Sequence, residues 1–557
     1  MLFRSRIPPR AAPPATGGGA SPKDYIARKS LCGKIDLDRL AMQTWELANR
    51  TVGSGTYLLS SWLFLRLLGL IYLAAFVSLA TQINGLIGIR GILPARDFLL
   101  AERVEGPRRF WRIPTLCWWN ASDGCLRFLC WGGAVLSLLF VAGVAPIPVL
   151  ILLWLFYLSL FNVCRIFLGY QWDILLLETG FLAIFLAPFE WTPGFPPAAA
   201  PSRIILWLFW WLLFRLMFSS GFAKWRSGDR AWRNLSALNY HYETQPLPPW
   251  TAWHMHQLPG GFHKLSVVVL FAIELVSPAL VFMPPPFCHG AGAAFMFLMV
   301  LIMATGNYCF FNLLALALSL LLFDDAVWLP LFKKCLSNIP FSSNAPAPRD
   351  WPVWITIPIA FGIALLSVEV VFRLFRYPTR WPKPIEQLIE WLEPFRLVNG
   401  YGLFAVMTSR RSEILVEGSH DGVDWHAYEF KWKPGDVTRR PRFATPHQPR
   451  LDWQMWFAAL NHYQTTVWFR HFLVRLLQGS PAVLALLGEN PFADQPPRFI
   501  RAVLYDYRFT DFTARRATGA WWRRERRGLY SPVLSLRNGV GADGGSSGEL
   551  NSQTIVR

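Results

Sequence analysis

Long runs of near-continuous apolar residues, separated by short polar stretches, fill the chain from about residue 57 to residue 375. They lie at 57–83, 126–144, 147–168, 169–189, 202–223, 265–283, 290–305, 308–323 and 353–375. A helix needs about 20 apolar residues to cross a bilayer, so the pattern predicts a multi-pass α-helical membrane bundle with roughly five to nine spans. The runs at 290–305 and 308–323 are broken at Gly306-Asn307 and read as two spans or as one re-entrant hairpin. Beyond Arg376 the pattern changes. Residues 377–396 form a Pro-marked amphipathic connector. Short alternating stretches follow (YGLFAVM, SEILVEGSHDG, HAYEFKW), with a turn signal at Asp421-Gly422. RLDWQMWFAAL and WFRHFLVRLLQ read as amphipathic helices, and LYDYRFTDF as a late strand. The predicted architecture is therefore a multi-pass α-helical membrane bundle followed by a small soluble α+β, β-rich C-terminal domain. Its parts are a disordered basic segment at 1–50, the membrane domain at 51–376 with a central polar loop at 224–263, the connector, the C-terminal domain at 397–536 and a disordered tail at 537–557.

Charges inside apolar runs are costly and face protein or a cavity. Asp173 lies near a run's end and reads as interfacial, whereas Glu178 lies at membrane depth. Arg215 in the next run is its natural partner by charge, a pairing that a charge swap is expected to restore; Glu274 is a third intramembrane charge. The segment GLIGIRGILPARDFL is expected along the membrane surface.

Composition sharpens this picture. Of 557 residues, 53% are hydrophobic and 16% charged, against roughly 25% charged in soluble domains. The net charge of +19 accompanies no nucleic-acid motif, and basic membrane flanks account for it. Membrane lipids are the expected partners of that charge; no nucleic acid is expected. The basic head predicts a cytoplasmic N-terminus. There are 8 cysteines, none after Cys335, and no CxxC pair, so the C-terminal domain holds no internal disulfide. Three glycosylation sequons occur, at Asn49, Asn120 and Asn234.

The central stretch SGFAKWRSGDRAWRNLSALNYHYETQPLPPWTAWHMHQLP is too rich in His and aromatic residues for a linker. Its His241, Glu243, His254, His256 and His263 match no standard zinc spacing. No GxSxG elbow and no phosphate-binding loop occurs. No catalytic, cofactor-binding or metal residue is assigned, and no cofactor is expected.

The same stretch carries a family resemblance. HYETQPLP, with LIGIRGILP, LLLETGFLAIFLAP, ATGNYCFFNLL, YEFKWKPGD, PRLDWQMWFAAL and NPFADQPPRFIRA, resembles the lipase maturation factors, and the wording looks closer to the second branch or to bacterial relatives. The resemblance implies a multi-pass endoplasmic-reticulum membrane protein, or an inner-membrane one in a bacterium. It implies a non-enzymatic factor that assists folding and assembly of secreted dimeric lipases, such as lipoprotein lipase, through a lumenal C-terminal region. Candidate client-contact residues are His241, Glu243, Gln245, Trp425, Trp453 and Trp456. Trp453 and Trp456, three apart in a helical pattern, read equally as core. Two rival classes stay open. One is a membrane enzyme distantly like vitamin K-dependent carboxylases, with Glu178, His241, Glu243 and Glu274 around a lipid-like or quinone cofactor. The other is a transporter using Glu178 and Arg215.

Overall fold

The computed structural model describes residues 56–192, 200–335, 351–536 and 550–552. The expected disordered head at 1–50, with Cys32 and Asn49, lies outside them, as does most of the expected tail. Seven helices are long and apolar enough to cross a membrane. They are α1 (Leu58–Ala80), α2 (Asp123–Ala142), α3 (Pro146–Cys164), α5 (Arg203–Arg226), α8 (Gly260–Leu280), α9 (Phe287–Thr305) and α11 (Val353–Leu374). Local chemistry sets their ends. The Ser122 hydroxyl accepts from Cys125 N at the start of α2, and Gly143 closes that helix at φ 86. Pro146 then opens α3, where its missing N–H costs nothing.

Two shorter apolar helices also traverse the bundle. α4 (Gln171–Leu186) has 16 residues, roughly 24 Å of helix. It starts at Tyr170, which packs against Trp453 of the C-terminal part. Its far end leads to Trp191, whose carbonyl accepts from Ala145 N at 2.6 Å, at the opposite end of α3. α10 (Phe311–Leu320) likewise runs from Asn307, bonded to Arg442 and Ala444, to Asp325. There the Asp325 carboxylate accepts from Leu58 N and Leu59 N at 3.0 and 2.8 Å. Both helices are largely sheathed by protein. A helix shielded from lipid need not match bilayer thickness. The run read as one arm of a re-entrant hairpin is thus a short buried crossing.

The C-terminal part holds an antiparallel five-stranded sheet in the order β2-β1-β5-β6-β7: β1 Arg411–Ser419, β2 His426–Ala427, β5 Phe499–Phe509, β6 Trp522–Leu536 and β7 Leu550–Ser552. β3 (Glu429–Phe430) pairs separately with β4 (Leu487–Glu489). β1 and β5 pair from Arg411↔Tyr507 to Ser419↔Phe499. Asp421 turns the chain between β1 and β2, its carboxylate accepting from Val423 N and Asp424 N at 2.8 and 2.9 Å. β7 lies inside the stretch expected to be disordered tail.

The segment after α1 packs partly on protein: Leu86, Ile87 and Ile92 are buried, Ile89 stays exposed, and Arg475 and Ser480 donate to the carbonyls of Gly91 and Arg90. RLDWQMWFAAL, helix α13 (Arg450–Ala459), is buried on nearly every face and is not amphipathic, because it is wedged between bundle and sheet. α14 (Val467–Leu477) keeps the expected one-sided burial. Finally, the C-terminal part does not stand free: Ile414, Trp453 and Phe472 belong to one hydrophobic core with Phe64 and Leu177.

Candidate functional site

The central stretch folds into two short helices, α6 (Ala237–Thr244) and α7 (Trp250–His256), joined by a buried turn. It is not a loop open to solvent. Thr244, Gln245 and Leu247 are almost fully buried, so their backbone polar groups need partners. Arg411 at the start of β1 supplies several. Its guanidinium donates to the carbonyls of Glu243 and Pro246 at 2.8 and 2.9 Å, and to that of Gln245. It is held by Glu413 at 2.6 Å, and Lys433 Nζ lies 3.0 Å from the other Glu413 oxygen. Trp456 Nε1 donates to Thr244 O at 2.9 Å. From the bundle, Asn307 Nδ2 donates to Leu247 O at 2.9 Å, and Gln245 Nε2 donates to Thr305 O at 2.9 Å. HYETQPLP is therefore the joint between membrane bundle and C-terminal sheet.

Two buried ion pairs tie the same faces together. Arg450 of α13 forms a two-pronged pair with Asp173 of α4 at 2.6 and 2.8 Å, both side chains fully buried. Tyr157 donates to Asp173 at 2.6 Å, and Arg450 donates to Phe167 O at 2.9 Å. Asp173 is thus a fully buried anchor in the first turn of α4. Glu178 and Arg215 pair with each other. The second Glu178 oxygen accepts from Asn399 N, Asn399 Nδ2 and Tyr401 OH at 2.9, 3.0 and 2.7 Å, and Arg215 donates to Asn399 O at 3.0 Å. The first residues of the C-terminal part complete this pair. Glu274 binds Lys224, whose Nζ lies 2.8 Å from both oxygens; a π-helical turn at Ala272–Val276 presents it.

His241 takes Tyr308 as a partner at 3.0 Å, and Tyr308 in turn donates to Gln245 at 2.8 Å. Burial, helped by the positive charge of Lys224, pushes the His241 pKa down to about 4, so the ring is neutral at pH 7. Glu243 accepts from Phe509 N at 3.1 Å and sits 3.7 Å from His256. Of the four residues grouped by the enzyme reading, His241 and Glu274 line one apolar cavity, while Glu178 and Glu243 face other partners. Among the described residues, no group of three or more His, Cys, Asp or Glu side chains gathers as a metal site. Of the aromatic candidates, Trp453 and Trp456 are buried and cannot meet a client as they stand; the core alternative holds for both. Trp425 keeps partial exposure, with the Arg501 guanidinium 4.0 Å from its ring centre.

Sequence reasoning missed Arg411, Arg450, Asn307 and Asn399. Arg411 and Glu413 carried a signal, since opposite charges two apart on a strand share one face. Arg450 carried one too, standing at the head of a Trp-rich helix opposite an aspartate in an apolar run.

The sequence profile of the lipase maturation factor transmembrane domain matches residues 59–330, and that of the lipase maturation factor C-terminal domain matches residues 397–532. Lipase maturation factor 1 of Bos taurus is 37% identical over 553 residues, covering 93% of this chain and 97% of its own. Lipase maturation factor 2 of Gallus gallus is 36% identical over 590 residues, covering 85% and 81%. Human lipase maturation factor 1 is 35% identical over 513 residues, covering 87% and 89%. No solved structure matches. Similarity to the two branches is nearly equal, so it assigns the family and not the branch. The chain belongs to the lipase maturation factor family.

Proposed function

We propose that this multi-pass membrane protein is a non-catalytic maturation factor that assists folding and assembly of secreted lipases, dimeric ones such as lipoprotein lipase among them, in the endoplasmic-reticulum membrane. The observation that carries the reading is the similarity to proteins named lipase maturation factors at 35–37% identity, with both domain profiles matched. The non-catalytic part draws support from the polar groups. Glu178 and Glu243 are engaged by the protein's own donors, and a carboxylate so engaged is poorly placed as a base or nucleophile. Client contact falls to the C-terminal sheet, where the β1–β2 hairpin presents Val423 and Trp425. Surface aromatic residues are favoured as binding anchors.

The test is rescue. Cells lacking their own maturation factor would express this chain with a secreted dimeric lipase, and activity per mass of secreted lipase would be measured. Restored specific activity supports the reading; inactive secreted lipase beside a stable, membrane-inserted chain overturns it. Truncation at residue 397 is a poor control, because it strips Glu178 and Asp173 of buried partners. Trp425→Ala leaves those anchors intact and is expected to lower rescue without lowering the amount of the factor.

A further inference from the structure

A cavity of about 360 Å³ lies between α5, α8, α9 and α10, under α6 and Phe404. That size is typical of small-molecule sites. Its walls are mainly Leu, Val, Met and Phe side chains. Its rim includes Phe262, Leu265, Phe297 and Leu301, all exposed and all on helices long and apolar enough to cross the membrane. The cavity therefore opens sideways, towards the acyl region of a bilayer.

Few polar side chains face it, and together they carry no net charge. Lys224 and Glu274 neutralise each other, and His241 is bonded to Tyr308. A phosphate or carboxylate head group would find no free cation among these. Asn312 on α10 and Tyr242 on α6 are the polar lining residues without a side-chain hydrogen bond among the described residues. Asn312 is 1% exposed, lines the cavity and makes no side-chain hydrogen bond among the described residues, its amide oxygen being buried without a donor. Buried amides are nearly always partnered, because an unmade hydrogen bond there is costly. A hydroxyl on an uncharged, apolar body suits Asn312, because it can donate to the amide oxygen or accept from the amide nitrogen.

We propose that this cavity binds one uncharged, hydroxyl-bearing membrane lipid, its hydroxyl on Asn312 and its apolar body running out between α8 and α9. Acylglycerols and sterols share that chemistry. The proposal stands on the cavity and Asn312 alone and does not depend on lipases being the clients.

The experiment uses the full chain in phosphatidylcholine nanodiscs and a monoacylglycerol carrying a diazirine in its acyl chain, with cross-linked peptides mapped by mass spectrometry. Saturable labelling within α8 and α9 is expected. Unlabelled monoacylglycerol and cholesterol are added in separate arms, and whichever competes identifies the source; extra phosphatidylcholine does not compete. Asn312→Leu removes one buried hydrogen bond to the ligand and is expected to weaken binding about tenfold. It leaves thermal stability unchanged or raised, because no protein hydrogen bond is lost. Val269→Trp adds bulk at a partly exposed position on the cavity wall and is expected to abolish labelling. Labelling that never saturates, or that phosphatidylcholine competes away, overturns the proposal. So does labelling unchanged in both variants. Should Asn312→Leu fail to fold, Val269→Trp decides alone.

Discussion

Glu178 and Arg215 are bound to the backbone of one residue as well as to each other: Asn399 N–H donates to the glutamate, and Asn399 C=O accepts from the arginine. This fixes which residue carries which charge. Exchanging them restores the mutual pair but sets Asn399 N–H against a guanidinium and Asn399 C=O against a carboxylate. The charge-swapped protein is therefore expected to accumulate no better than either single neutral variant, measured as monodisperse protein in detergent; wild-type yield from the swap would contradict this. Sequence legibility stopped at that point. Two opposite charges in neighbouring apolar runs were readable as a pair. The third member was not, because a backbone group has no sequence signature. The imidazoles give a second residue-scale prediction. His241 and His447 both fall from the usual 6.5 to about 4, chiefly through burial, aided by Lys224 for the first and by Arg450 and Lys431 for the second. The stability they contribute is present above pH 6.5 and is lost as pH falls towards 4. Melting temperature measured across that window should drop for the wild type and fall less steeply for the His241→Gln/His447→Gln double variant; parallel curves would refute the assignment.

At the scale of elements, α4 and α13 form the contact on which the two halves turn. α4 is a short apolar helix with an aspartate, and α13 is a Trp-rich helix headed by Arg450; each is buried on nearly all faces. The sequence showed both as helices. It could not show that they meet, since Asp173 and Arg450 are 277 residues apart and only tertiary packing relates them. The expectation that α13 is amphipathic failed for the same reason: its polar residues do not face water but bind buried partners, Asp173 for Arg450, Trp432 N for Asp452 and Tyr170 OH for Gln454. Losing one member of a buried ion pair costs about 3–5 kcal/mol, while replacing both by apolar groups is often neutral. Arg450→Met and Asp173→Leu should each destabilise the purified protein by about that amount, and the double variant should recover most of it. Additive losses in a denaturant-unfolding double-mutant cycle would show that the contact is not coupled.

For the whole molecule, the described helices cross the bundle nine times when α4 and α10 are counted with the seven longer ones, which puts residue 56 and residue 376 on opposite faces. Contacts of the C-terminal part on the turn after α1, the α3–α4 link, the central stretch and the α9–α10 link agree with this. Hydropathy made the class and the two-part order plain. It left the count of crossings open because α4 and α10 are short, and they are short because protein and not lipid surrounds them. The basic head is expected on the cytoplasmic side, and the odd number of crossings then predicts the sheet on the opposite side of the membrane. In sealed microsomes a C-terminal epitope should resist added protease while an N-terminal one is digested; equal sensitivity of both would break the topology. The central claim, a membrane factor that meets lipases through its C-terminal face, is tested most directly by photocrosslinking in cells that secrete a dimeric lipase. One photoreactive residue replaces Trp425, and in a separate protein one replaces Val144, which is exposed at the opposite end of the bundle. The account predicts a lipase adduct from position 425 and none from position 144. No adduct from 425, or an equal one from 144, would contradict it.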